Sequence, residues 1–291
     1  MLFVSHVNGT LVIHNREVLQ AQYCFLQYAG SEWGGHALAS YPAVLNELTI
    51  DIAKAPTLRD TWLLRAVAEG NGQEAVVELL LTTEGVNVNL KDWYFRTPLS
   101  LAAENGHDGI LKLLLAKEKV DVGPRSSFVN QPLLLAAENG HDVVVKLLLA
   151  TPKVDPNLEN MYGLTPLLQA AKNGHTAVVK LLLATQRVDV ALRDELGQTP
   201  LSLAAENGYE DIVKLLPATE KVDVDPRDHE YGFTPLSLAT KNGHEAVVKL
   251  LLATQVVDVD WEDKFGQTPL SLATRNGHEA IVKLLKDFKY G

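Results

Sequence analysis

Apolar and polar positions along this chain follow a pattern that returns at a fixed step. The stretch Thr268-Pro269-Leu270-Ser271-Leu272-Ala273-Thr274-Arg275-Asn276-Gly277-His278 runs on into Glu279-Ala280-Ile281-Val282-Lys283-Leu284-Leu285. Near-copies open at Thr234-Pro235-Leu236, Thr199-Pro200-Leu201, Thr165-Pro166-Leu167, Gln131-Pro132-Leu133 and Thr97-Pro98-Leu99. The prolines stand at 98, 132, 166, 200, 235 and 269, so the steps by subtraction are 34, 34, 34, 35 and 34. A period of this size predicts a solenoid, which grows along one axis without a single central core.

Each unit reads as two antiparallel helices. The Thr97 hydroxyl caps the first, and Pro98 takes the first helical position, where a missing N–H costs nothing. Leu99, Leu101, Ala102 and Ala103 make its buried face, with alanines small enough for close packing of neighbouring units. Gly106 ends it where a positive φ is needed. Asp108 opens the second helix at the positive end of its dipole, and Ile110, Leu111, Leu113, Leu114 and Leu115 bury that helix. A projecting finger then leads to the next unit, most clearly over 188–198.

The motifs T-P-L, A-A/T-x-N-G-H and V-V-K-L-L-L recur in phase, and over about residues 61–291 the chain resembles the ankyrin repeat. The resemblance implies an all-α fold, an ankyrin-repeat solenoid of helix pairs with projecting β-hairpin or loop fingers. The units are 61–96, 97–130, 131–164, 165–198, 199–233, 234–267 and 268–291. The first is degenerate, with Trp62 in place of proline and a longer turn, and reads as an amino-terminal cap. The last is a carboxyl cap, with Lys286 replacing the third leucine. The family's usual histidine after T-P-L is missing. Ser100, Leu134, Leu168, Ser202, Ser237 and Ser271 stand there, so its side-chain bonding must be weaker or replaced. Pro217 removes the N–H that would bond the Val213 carbonyl, and predicts that its helix stops early or kinks. The same unit carries an extra residue near Asp228-His229-Glu230. Together they predict a local break in superhelical curvature.

Residues 1–60 do not share the period and read as a short leader that covers the first unit. Thr10 to His14 is a strand candidate; Arg16 to Tyr28 and Ala43 to Lys54 are helix candidates. Tyr23-Cys24-Phe25-Leu26-Gln27-Tyr28-Ala29-Gly30-Ser31-Glu32-Trp33-Gly34-Gly35-His36-Ala37 resembles an FL-x-YA-x-x-x-WG-x-HA segment of fungal multidomain proteins. There it lies between a NACHT nucleotide-binding module and ankyrin repeats. This chain has no G-x-x-x-x-G-K-[ST] phosphate loop. The resemblance implies an alternative role, as the ligand-sensing or autoinhibitory C-terminal part of a NACHT–ankyrin receptor-like protein.

A net charge of −10 argues against nucleic acid and against anionic membrane surfaces, which both need Lys/Arg-rich faces. The single cysteine, Cys24, permits no intrachain disulfide and fits a reducing compartment, the cytoplasm or alternatively the nucleus. No apolar run reaches the ~18 residues of a membrane span, and the start lacks the basic region of a signal peptide.

Candidate chemistry is sparse. His107, His141, His175, His244 and His278 recur in one Asn-Gly-His turn, with Tyr209 in the sixth copy, so they read as structural. Neighbouring repeats roughly 9–10 Å apart hold such histidines too far apart to share a zinc ion. Cys24 with His36 or His14 is read as a buried thiol rather than a nucleophile. These residues predict no catalysis, no cofactor and no metal site.

The expected function is non-enzymatic recognition of another protein by a monomer. The helices repeat almost letter for letter, whereas the fingers vary and hold most aromatics. Trp93, Tyr94, Phe128, Tyr162, Tyr231 and Trp261 are the candidate contact rings, with Phe265 also at a tip. Phe95 and Phe233, beside the T-P-L turn, are expected to pack between fingers. The inner, concave face of the first helices gives a second candidate surface, Glu104, Glu138, Lys172, Glu206, Lys241 and Arg275. Its acidic amino half suits a partner with a basic end.

Overall fold

The computed structural model describes residues 5–7, 10–12, 63–68, 73–123, 131–219 and 221–290. The chain divides into two compact units, Met1–Arg59 and Asp60–Gly291. In the first, β1 (Ser5–Val7) pairs antiparallel with β2 (Thr10–Val12), in the register Ser5 opposite Val12. The strand read at Thr10 to His14 is thus present over its first three residues. The two leader helices, Cys24, His36 and the 23–37 segment lie outside the described residues.

The second unit is built of helix pairs. A helical turn over 63–68 precedes α1 (Glu74–Thr82). Then follow α2 (Pro98–Glu104) with α3 (Asp108–Leu115), and α4 (Pro132–Glu138) with α5 (Asp142–Leu149). Next come α6 (Pro166–Lys172) with α7 (Thr176–Leu183), and α8 (Pro200–Glu206) with α9 (Glu210–Leu215). The last pairs are α10 (Pro235–Asn242) with α11 (Glu245–Ala253), and α12 (Pro269–Arg275) with α13 (Glu279–Tyr290). First helices touch first helices and second helices touch second helices, so two parallel rows form. Between them Ala102, Ala103, Ala136, Ala137, Ala170, Ala171, Ala204 and Ala205 are fully buried, as are Leu111, Leu114, Leu148 and Leu182. Burying a leucine side chain contributes about 1.5–3 kcal/mol, so the helix layer carries most of the stability.

The caps form as the residues dictate. Thr97, Thr165, Thr199, Thr234 and Thr268 each accept from the N–H three residues on. Gln131 makes no such side-chain bond. The serines that replace the family's histidine close the same caps. Ser100 Oγ accepts from Thr97 N at 2.8 Å and donates to Thr97 O at 2.9 Å, while Ser271 Oγ donates to Thr268 O. Ser202 and Ser237 share hydrogens with the Thr199 and Thr234 hydroxyls. Pro217 does end its helix early: α9 has 6 residues, against 8 in α3, α5 and α7.

Candidate protein-binding site

Among the described residues the fingers carry no regular strand pairing, and five of them are tight turns closed at the base by one main-chain bond. These run from Asp92 N to Arg96 O, Asn160 N to Leu164 O, Asp194 N to Gln198 O, Asp228 N to Phe233 O and Asp263 N to Gln267 O. The first residue of each turn folds its side chain over the tip. Asp92 Oδ1 accepts from Tyr94 N and Arg96 N, both at 2.8 Å, and Asn160, Asp194 and Asp263 repeat the arrangement. Asp228 takes three N–H groups, from Tyr231, Gly232 and Phe233, because the extra residue sits in its turn. These Asp and Asn residues were not singled out in the sequence. Their recurrence just before variable tip residues was the available signal.

Burial and hydrogen bonding pull in opposite directions on two of these carboxylates, Asp194 and Asp92. Asp194 is pushed up by burial, against N–H donors from Gln198 and Leu196. Asp92 is also raised by burial, but the main-chain and side-chain bonds from Arg96 outweigh this and its pKa falls.

Most candidate rings stand in solvent. Trp93 is 97% exposed, Tyr94 72% and Tyr162 59%; Tyr231 is also exposed. Phe128 lies outside the described residues. Trp261 is half-buried: its indole N–H donates to Gly232 O at 2.8 Å, and the Arg227 guanidinium sits 3.3 Å from the ring centroid. Phe233 packs as expected, 7% exposed. Phe95 does not; it is 67% exposed. Its φ is +61°, at the place where other fingers carry Gly163, Gly197, Gly232 and Gly266 at positive φ.

The helix-end row is partly tied to the fingers. The residue that leaves a finger reaches the residue eight further on, at the end of the following helix. Arg96 Nη1 donates to Glu104 Oε2 at 3.1 Å and Gln198 Nε2 to Glu206 Oε2 at 3.1 Å. Arg275 Nη1 donates to Gln267 Oε1 at 2.9 Å, and Lys241 Nζ lies 4.9 Å from the Phe233 centroid. Glu104 is therefore not a free charge, while Glu138 and Lys172 are exposed. The chemistry of the bridge differs from unit to unit, Arg with Glu, Gln with Glu, a ring with Lys and Gln with Arg, and reading each row separately misses the contact.

The recurring histidines join neighbouring units. Nε2–H of His141 donates to Glu104 O at 2.9 Å, His175 to Glu138 O at 2.8 Å, His244 to Glu206 O at 2.9 Å and His278 to Lys241 O at 3.2 Å. Buried His107 Nε2 has no partner among the described residues. No group of three His, Cys, Asp or Glu among the described residues is placed to hold a metal ion. No described helix is long and apolar enough to cross a membrane.

Helix pairs stacked in two rows, turn-like fingers between them and a histidine bond recurring at four joints define a repeat protein of the solenoid class. A family model described as "Ankyrin repeats (3 copies)" matches residues 37–126, 63–159, 133–228 and 218–290. The chain belongs to the ankyrin-repeat family. A search of curated proteins returns no match.

Proposed function

We propose that this chain is a non-enzymatic recognition module that binds another protein through its finger tips and the concave face of its first helices. The observation that carries this reading is the Trp93-Tyr94-Phe95 tip. Three consecutive large rings face solvent there, and Phe95 holds a backbone conformation that costs a non-glycine residue about 1–2 kcal/mol. A ring kept at that cost, where sister fingers use glycine, is better accounted for by contact with a partner than by folding. Rigid aromatics bury large area for little lost entropy on binding.

The test is cross-linking of the full chain to its partner in the native cell extract, identified by mass spectrometry and repeated with purified partner by calorimetry. Trp93→Ala should weaken binding by about ten-fold or more and leave the melting temperature unchanged. Phe95→Gly should raise stability by about 1 kcal/mol while weakening binding. A partner held equally well by both variants would reject the tip as a contact.

A further inference from the structure

The recognition surface proposed above is not uniform, and its carboxyl-terminal part has its own chemistry. Between the last two fingers and the ends of α10 and α12 lies an open hollow of about 380 Å³. Tyr231, Phe233 and Phe265 wall it. Tyr231 stacks on Phe265 with centroids 6.1 Å apart and tilts against Phe233 at 5.7 Å. Lys241 and Arg275 supply its charge. Lys241 Nζ lies over the Phe233 face, and one Arg275 Nη is held by Gln267 Oε1, which leaves the rest of the guanidinium fork open.

The charge balance there is unusual for this molecule. The chain carries −10, yet among the described residues no carboxylate lies within ion-pair distance of Lys241 or Arg275. The equivalent position in the first full repeat is neutralised, because Arg96 bridges Asp92 and Glu104. Two unpaired cations beside three rings, on an acidic protein, form a local complement to an anion that also carries apolar surface. A long polyanion such as RNA would meet the negative charge of the rest of the chain, so a short acidic stretch is the better fit.

We propose that this hollow takes an acidic peptide segment of a partner protein. Its Asp or Glu carboxylate sits between Lys241 and Arg275, and an adjacent aromatic or leucine side chain lies against Tyr231 and Phe265. This inference rests on the protein-recognition reading and specifies what one part of the surface selects.

A random-peptide display library panned against the full chain tests it. The wild-type chain should enrich peptides with Asp or Glu next to Phe, Tyr, Trp or Leu. A synthetic peptide of the enriched sequence, followed by fluorescence anisotropy, should bind about ten-fold more weakly to K241E/R275E and less weakly so to K241Q/R275Q. Added salt should weaken the wild-type complex. Both side chains are exposed, so circular dichroism and melting temperature should match the wild type. Enriched peptides that lack acidic residues, or that bind both double variants as tightly as the wild type, would overturn the hollow and leave protein recognition standing. No enrichment at all would count against both readings.

Discussion

The two sides of the array are joined by different chemistry. On the helix side four joints share one side-chain bond: a histidine Nε2–H reaching the carbonyl at the end of the previous first helix. On the finger side the joints are main-chain bonds, Glu195 N to Tyr162 O, His229 N to Leu196 O and Lys264 N to Tyr231 O. A main-chain joint asks nothing of the side chain beside it. That is why the helix residues are held nearly constant from unit to unit while the finger residues are free to differ. The extra residue illustrates the tolerance: the finger bonds continue across it, and Lys264 Nζ reaches both the His229 and Glu230 carbonyls.

The sharpest way to break the helix side is to crowd a joint. Gly140 has φ +76°, and a Cβ there would lie 2.5 Å from His175 Nδ1. Gly140→Ala should combine left-handed backbone strain with displacement of the ring that bonds Glu138 O, a loss of about 2–4 kcal/mol. Gly277 is its control: it has φ +75° and no ring or other atom within 4 Å of a Cβ. Gly277→Ala should cost only the strain, about 1–2 kcal/mol. Urea denaturation of the two variants measures the difference; equal losses would show that the histidine contact adds nothing.

The finger side also holds a clamp made by side chains, and one copy of it is imperfect. Asn89 donates to Lys119 O and accepts from Asp121 N; Asn157 does the same with Arg187 O and Asp189 N. In the later repeat the residue is Asp225. It accepts from Asp258 N at 3.2 Å, but its other oxygen, Oδ1, is buried without a partner. A carboxylate cannot donate where the asparagine amide does. Burial raises the Asp225 pKa, and Asp258 and Asp223 add to this. A raised folded-state pKa means a penalty fully present above it, which fades as pH falls toward the ordinary carboxylate range. Asp225→Asn should therefore stabilise the chain by about 1 kcal/mol at neutral pH, with the gain vanishing below the normal carboxylate range. A gain that does not change with pH would assign it to something other than this carboxylate.

The period at the six prolines was enough to place the six helix pairs from α2 to α13, because capping residue, N1 proline and terminal glycine act within a few residues of one another. The early end of α9 was legible for the same reason: Pro217 acts on its own turn. What could not be read were relations across units. The backbone angle that exposes Phe95 is announced only when the fingers are aligned on one another, where its position is glycine in four others. The pairing of Arg96 with Glu104, or of Lys241 with the Phe233 ring, depends on how a finger folds back over the next helix. The clamps made by Asn89 and Asn157 span 30 and 32 residues to main-chain atoms, which carry no sequence signature.

The smallest expected effect tests whether the helix-side joint can be restored where it has lapsed. Tyr209 stands in the histidine place, with its N–H on Ala204 O as in the other copies and its ring against Gly174. Among the described residues no hydrogen bond from its side chain crosses to the preceding repeat. The neighbouring Asn207 bonds Leu203 O in its own helix, whereas Asn173, Asn242 and Asn276 cross to Glu138, Glu206 and Lys241. Counting back by the usual step, the carbonyl facing this joint is that of Lys172. Tyr209→His should bring an Nε2–H to it and gain about 0.5–1 kcal/mol. The imidazole would pack on Gly174 as His175 packs on Gly140, so little contact area is lost. The gain should appear as a higher urea midpoint at unchanged slope. A loss of stability would mean that the tyrosine ring holds this joint by packing better than a histidine bond would.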